Sequence, residues 1–422
     1  MNVLLRNVTV VQPNTAAFMQ QTDVWLRNGL VEAIGKKLTA TKVKDEIDAK
    51  GLFLSPGWLD FQANLCDPGF EFKEDIFSGL NAAAAGGFTG VMTTPNTQPV
   101  VDGKGSVEYV LRKAAGNLVE VFPCASITAA NDGKHISEML DLHAAGAVAF
   151  TDGEGSLQDA GTMVRALQYT KPFNGLVVNR PEEQTLTKGG MMNESASSVR
   201  LGLKPMPALS EELMVMRDIS LAEYTGCRVM IGPITTAGSI AMIRAAKKKG
   251  LKVQCFVYAL NLLLDDTELE SFDSNFKLNP PLRTKADVKA LHKGFKDGTI
   301  DIIASGHQPQ NDELKRVEFD YAAFGAIGLQ TSFATATTAL GDTIDVEQYV
   351  NAFAVAPRVA INKPVPVIAK GEKINATLFS LTEEWDYTLQ NNRSKSTNSP
   401  LLGRRLKGKP VAVFNNNQFK FC

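Results

Sequence analysis

Imidazoles, thiols and carboxylates are the side chains that hold metals and move protons, and this chain of 422 residues has few of the first. Its four histidines are His135, His143, His292 and His307. The first three lie in stretches that read as polar helix faces or helix starts, where a solvated imidazole is expected. His307 alone follows a strand-like run. A binuclear hydrolytic centre built on imidazoles needs about four of them at one point, and this pattern does not supply them. The five cysteines, Cys66, Cys124, Cys227, Cys255 and Cys422, are scattered and form no C-x-x-C pair. They read as buried thiols of a reducing compartment, with no disulfide framework. Cys66 with His307 would make a nucleophile and its base, but a buried thiol without a catalytic partner is the expected state. Among the carboxylates, Asp60 is embedded in a strand and is expected to hydrogen-bond structurally. Asp152, in Phe150-Thr151-Asp152-Gly153, reads equally as a pocket carboxylate or a loop cap. Glu182 and Glu183 read as a solvated loop.

The elements that must position these groups alternate regularly. Strand candidates are Phe53–Phe61, Thr89–Thr94, Val119–Ile127, Ala147–Thr151, Gly175–Val178, Arg228–Gly232, Lys252–Val257 and Ile300–Ser305. Each is a short apolar run, as expected of strands buried on both faces. Amphipathic stretches separate them. Glu74–Ala85 ends at Gly86-Gly87, Glu211–Tyr224 ends at Gly226, and Ser239–Lys249 ends in lysines and Gly250. Lysine and glycine are the residues a helix C-terminus favours. Thr284–Phe295 opens with a capping-box pattern. Eight strand–helix units predict an α/β fold, a (β/α)8 barrel. An open doubly wound sheet would show a glycine-rich phosphate loop after an early strand, and none is present.

Both chain ends carry alternating strand patterns, and neither could bury much core alone. The expectation is a composite β-sandwich from residues 1–54 and 365–422 beside a barrel over residues 55–364. The polar stretch Gln390–Pro400 reads as a loop. Basic and acidic residues balance, 44 against 45, with no basic stripe for nucleic acid. The chain opens on a strand-like run without signal-peptide features, and no apolar stretch approaches the ~18 residues of a membrane helix. A cytoplasmic protein is expected.

Several ordered blocks carry a resemblance. They are Ser55-Pro56-Gly57-Trp58-Leu59-Asp60, Asp67-Pro68-Gly69 with Lys73-Glu74-Asp75-Ile76, Ala83–Gly87 with Phe88-Thr89, and Pro95-Asn96-Thr97. Arg217-Asp218-Ile219, Asn279-Pro280-Pro281-Leu282-Arg283, Gly325 through Gly328-Leu329, and Asn398-Ser399-Pro400 with Gly403 follow. With these the chain resembles dihydroorotases of the amidohydrolase superfamily from end to end. The resemblance implies an amidohydrolase-type barrel with a small β-sandwich. It implies hydrolysis or closure of a six-membered cyclic amide in pyrimidine synthesis by a metal-bound hydroxide, with a strand-eight aspartate as metal ligand and proton shuttle.

Carried onto this chain, the family's two first-strand histidines fall at Gln62 and Asn64, its fifth-strand histidine at Asn179 and its sixth-strand histidine at Pro233. The bridging aspartate falls at Asp152, within a residue, and the catalytic aspartate at Gly306. The family's arginine after the second metal histidine becomes Cys66, the paired histidines after strand seven become Leu260-Asn261, and Gln310 replaces another histidine. Asn96, Asn279 and His307 match residues that contact substrate, although turn capping also accounts for the two asparagines. Gln62 and Asn64 read more readily as a hydrogen-bonded plug than as a site.

Proline and glycine offer no donor, and neutral amides bind zinc poorly. Water without the metal keeps a pKa of ~15.7 in place of ~7, which costs up to about eight powers of ten in hydroxide. Loss of the strand-eight carboxylate removes a further ~10²–10⁴. The expectation is therefore a dihydroorotase-like protein without catalysis and without cofactor. The resemblance implies a role as structural partner of aspartate transcarbamoylase, and a homodimer or other homo-oligomer. The alternatives are a working dihydroorotase or related cyclic amidohydrolase, and a small-ligand binder using the old pocket through Asn96, Asn279 and His307.

Overall fold

The computed structural model describes residues 1–12 and 18–422. Eight strands lie side by side in chain order: Trp58–Ala63, Phe88–Thr93, Glu120–Ala125, Ala149–Phe150, Val177–Asn179, Val229–Ile231, Val253–Tyr258 and Ile302–Ala304. Every neighbouring pair is parallel. The last strand returns to the first, where Asn64 N–H donates to His307 O at 2.8 Å. Asp60 reinforces that seam, accepting from Ser305 N at 2.7 Å and from Ser305 Oγ at 2.8 Å. The buried Asp60 thus has the structural role its sequence position implies.

Alternation along the strands sorts the core. Leu59, Phe61, Cys124, Phe256, Ile302 and Ala304 form one cluster in the barrel interior. Their neighbours Trp58, Val121, Cys255, Val257 and Ile303 belong to the cluster that packs beneath the helices. A period of two places successive side chains on opposite faces, and a small barrel is filled by its inward set.

The helices obey local signals. Asp75 caps Ile76–Ala85, Thr236 caps Ala237–Lys248, and Thr284 forms the expected capping box on Lys285–Lys296. One helix starts earlier than its pattern, as Ala208–Thr225, because Glu211 is turned inward. There it accepts from the backbone N–H groups of Thr235 and Thr236 at 2.8 and 3.0 Å.

The run Phe53–Phe61 is not one strand. Phe53–Pro56 joins the terminal sheet and Trp58–Ala63 the barrel. The break falls at Gly57, where a Cβ would lie 2.0 Å from Asn375 Oδ1 and 2.2 Å from Thr89 Oγ1. Only a residue without a side chain passes that seam. The two chain ends meet in a single eight-stranded sheet, in which Phe53–Pro56 pairs antiparallel with the start of Ala376–Asp386. Its core holds Val3, Leu5, Val24 and Leu54 from one end and Leu378, Ala412 and Phe414 from the other. No helix among the described residues is long and apolar enough to cross a membrane.

Candidate functional site at the barrel mouth

The C-terminal ends of the strands bring Gln62, Asn64, Asn279, Gly306 and His307 around one cavity, with Arg180 and Tyr258. The cavity is small, about 20 Å³. That volume holds a water, whereas organic ligands need several hundred Å³. Tyr258 is the reason. Gly306 has φ +61°, and a Cβ built there would lie 2.6–2.8 Å from the Tyr258 ring. The aromatic ring occupies the space into which a side chain at position 306 would project.

Four buried polar atoms on residues lining this cavity have no hydrogen-bond partner among the described residues: Gln62 Oε1, Thr94 Oγ1, Arg180 Nη2 and His307 Nε2. Arg180 Nη2 is 3.1 Å from Glu182 Oε2 and His307 Nε2 is 3.4 Å from Glu74 Oε2. Both are ion-pair distances without hydrogen-bond alignment. Stranding such atoms costs ~1–3 kcal/mol each unless water serves them.

His307 is held from behind. Its Nδ1 accepts from Gly328 N at 3.2 Å and Leu329 N at 3.4 Å, which puts the proton of the neutral ring on Nε2. Nε2 faces the fully buried Glu74. Burial alone would raise the Glu74 carboxyl, but His307 and the hydroxyls of Ser394 and Ser78 outweigh it and hold the group below the usual range. Lys395 N–H also donates to Glu74, at 3.1 Å. His307 is thus anchored to the tail loop as well as to the barrel.

The other residues expected at the mouth are mostly engaged in hydrogen bonds within the protein. Asn64 Nδ2 donates to Glu154 Oε1 at 3.1 Å, and its Oδ1 accepts from Cys66 N at 2.8 Å. Asp152 accepts from Thr128 N, Thr128 Oγ1 and Ser126 Oγ at 3.0, 2.7 and 2.9 Å. It is a loop cap and does not line the cavity. Asn179 donates to Asp218 Oδ2 at 2.6 Å and accepts from Leu157 N at 3.1 Å. Asn96 is spent on the same loop as Asp152, donating to Asp152 O and accepting from Glu154 N, both at 3.0 Å. Pro233 presents no donor. Asn279 donates to Glu182 Oε2 at 3.3 Å.

Several expectations need correction. Glu182 is not solvated: its side chain is 15% exposed and meets Arg180, Asn279 and Thr187 Oγ1. His292 is half-buried, its Nε2 bonded to Leu262 O at 2.7 Å, whereas His143 is exposed as expected and lays its ring on Phe173. Both rings find partners across elements that sequence leaves apart. Burial pushes the Cys66 thiol up to about 12, so it has no thiolate character at neutral pH. Tyr258, Arg180 and Glu74 are mouth residues for which the sequence pattern assigns no role. A signal existed for Glu74 alone, in the Lys73-Glu74-Asp75 block.

The fold belongs to a known class. The structure superimposes on L-hydantoinase (dihydropyrimidinase) from Arthrobacter aurescens with a TM-score of 0.86, covering 99% of this chain and 95% of that one at 20% identity. Dihydropyrimidinase from Brevibacillus agri gives 0.83 over 99% and 95% at 23% identity. These likenesses show a shared fold, the barrel with its terminal sheet. A dihydro-orotase-like family model matches residues 51–239. Proteins named dihydroorotase from Pelobacter propionicus and Citrifermentans bemidjiense are 37% and 38% identical, over 98% and 97% of both chains. The chain belongs to the dihydroorotase-like family.

That membership corrects the expectation of a protein without cofactor. Proteins named dihydroorotase and hydantoinase are metal-dependent amidohydrolases, and substituted positions do not demonstrate that metal has been lost. The donor set remains a poor fit to zinc. No group of three or more His, Cys, Asp or Glu side chains converges among the described residues. The cavity at the mouth is lined by the neutral amides of Gln62, Asn64 and Asn279 together with one carboxylate, Glu154, one imidazole, His307, and Arg180.

Proposed function

We propose that this dihydroorotase-like protein of pyrimidine synthesis does not turn over dihydroorotate, and serves as a structural partner of aspartate transcarbamoylase. One observation supports the first half: the Tyr258 ring stands where a side chain at position 306, to which the resemblance assigns the family's catalytic aspartate, would project, and the cavity beside it is about 20 Å³. A six-membered ring does not enter that space, whatever activates the water. The polar groups around it support the same reading, because Asn64, Asp152 and Asn179 are each bound to protein partners. The second half is supported by the resemblance, since a retained scaffold without turnover needs a reason to persist.

The experiment is an assay of both reaction directions, with carbamoyl aspartate and with dihydroorotate, in buffer with and without added zinc. No conversion in either is expected. Conversion that tracks the added metal would overturn the first half. Co-purification with the transcarbamoylase from the native source tests the second, and two proteins that elute apart reject it. A second reading, a working cyclic amidohydrolase, is favoured by the name dihydroorotase on relatives of 37–38% identity along the whole chain.

A further inference from the structure

A groove of about 1030 Å³ lies between the terminal sheet and the barrel, at the end opposite the mouth. Its placement follows from its lining: Glu120 opens a barrel strand, and Arg358 bonds to the carbonyl of Gly57, immediately before the first strand. The volume suits a small-molecule site.

Arg358 is the unusual member. It is 3% exposed, yet among the described residues its guanidinium touches neutral acceptors alone: the carbonyls of Gly57 and Ala354 and, at 3.4 Å, Thr89 Oγ1. Buried arginines are almost always paired with acids, because an uncompensated charge in a low-dielectric interior is costly. Five N–H donors are available on a guanidinium. The Nε–H and one Nη2–H of Arg358 have no protein partner among the described residues. Lys363 and Lys373, exposed in the same lining, enter no ion pair among the described residues. Asn375 adds an amide whose oxygen is already taken by Thr89 Oγ1 at 2.6 Å, so its N–H groups are the ones left to give. Two exposed carboxylates, Glu120 and Glu372, share the lining; the charge of Glu120 partly offsets the burial of Arg358, but neither acid forms an ion pair with it.

We propose that this groove binds a small organic oxyanion, a carboxylate or phosphate whose charged end meets Arg358, Lys363 and Lys373. The planar fork of arginine matches two oxygens of such a group, and the lysines add point charges. This site is independent of the mouth and of any turnover there.

The test is calorimetric titration of the full chain with sodium malonate and with inorganic phosphate, at constant ionic strength set by chloride. Saturable binding of at least one oxyanion is expected, and the probe that binds identifies the class. The surface double substitution Lys363→Gln/Lys373→Gln, which touches no buried contact, is expected to weaken binding about tenfold. Arg358→Gln is expected to abolish it. Absence of saturable heat with both probes overturns the proposal, as does wild-type affinity in the lysine double variant.

Discussion

Gly306→Asp places a carboxylate where the resemblance puts the family's catalytic aspartate, and the structure predicts that the mouth rejects it. Two costs arise. Position 306 has φ +61°, a left-handed conformation that costs an L-residue roughly 1–2 kcal/mol, least for Asp and Asn. The new Cβ would also stand 2.6–2.8 Å from the Tyr258 ring, a clash that must be relieved by moving strand or ring. Overpacking of that kind costs about 1–3 kcal/mol. The sum, about 2–5 kcal/mol, is a large share of the ~5–15 kcal/mol that holds a folded protein.

A double-mutant cycle separates the two costs. Tyr258→Ala removes the clash and leaves the backbone term, so Gly306→Asp should cost about 1–3 kcal/mol less in that background. Urea unfolding followed by tryptophan fluorescence reads the midpoints, with equal slopes required for the comparison. Equal costs of Gly306→Asp in both backgrounds would falsify the reasoning, because Tyr258 would then not occupy the space assigned to it.

Further expectations concern the groups that hold the mouth. Burial raises the Asp60 carboxyl from 3.8 to about 7, so between those values the native state binds a proton that the unfolded chain has released. Stability contributed by this group therefore falls as pH rises from about 4 to about 7. Thermal midpoints across that window should fall more steeply in wild type than in Asp60→Asn, and parallel profiles would refute the assignment. Asp152→Ala strands the Thr128 N–H and should lower stability by about 1–3 kcal/mol without altering the bound-metal content measured by elemental analysis. A change in metal content would show that Asp152 is a ligand after all. Glu74→Ala should speed amide exchange at Lys395, whose N–H it accepts at 3.1 Å; unchanged exchange would detach the tail loop from the His307 anchor. Cys66, 3% exposed and with its thiol pushed up to about 12, should resist alkylation at pH 8 in the folded protein. Rapid labelling there would contradict its burial.

Much of the frame was legible because its causes are local. Doubly buried parallel strands are continuous apolar runs, and caps such as Thr284 with Asp287 are set within three residues. The same locality explains the failures. The break at Gly57 depends on Thr89 and Asn375, 32 and 318 positions away in the chain, which no window around Phe53–Phe61 contains. Asp152 stood between pocket and cap until the fold set Ser126 and Thr128 against it. Glu182 reads as solvated until the Asn279 segment closes over it.

Residue types at the positions where the resemblance places the family's metal ligands were fixed in the amino-acid order, since a side chain's donor atoms do not depend on its surroundings. So was family membership, which long ordered blocks carry. The conclusion about the cofactor did not follow from those types, and the relatives corrected it. Only the tertiary structure decided how much room remains. Tyr258 ends one strand and Gly306 lies two residues past the end of its neighbour, and whether the ring fills the glycine's empty flank is a matter of packing across the barrel wall. Contacts of that kind, made between residues far apart in sequence, are set by the register of the closed sheet and are invisible until it closes.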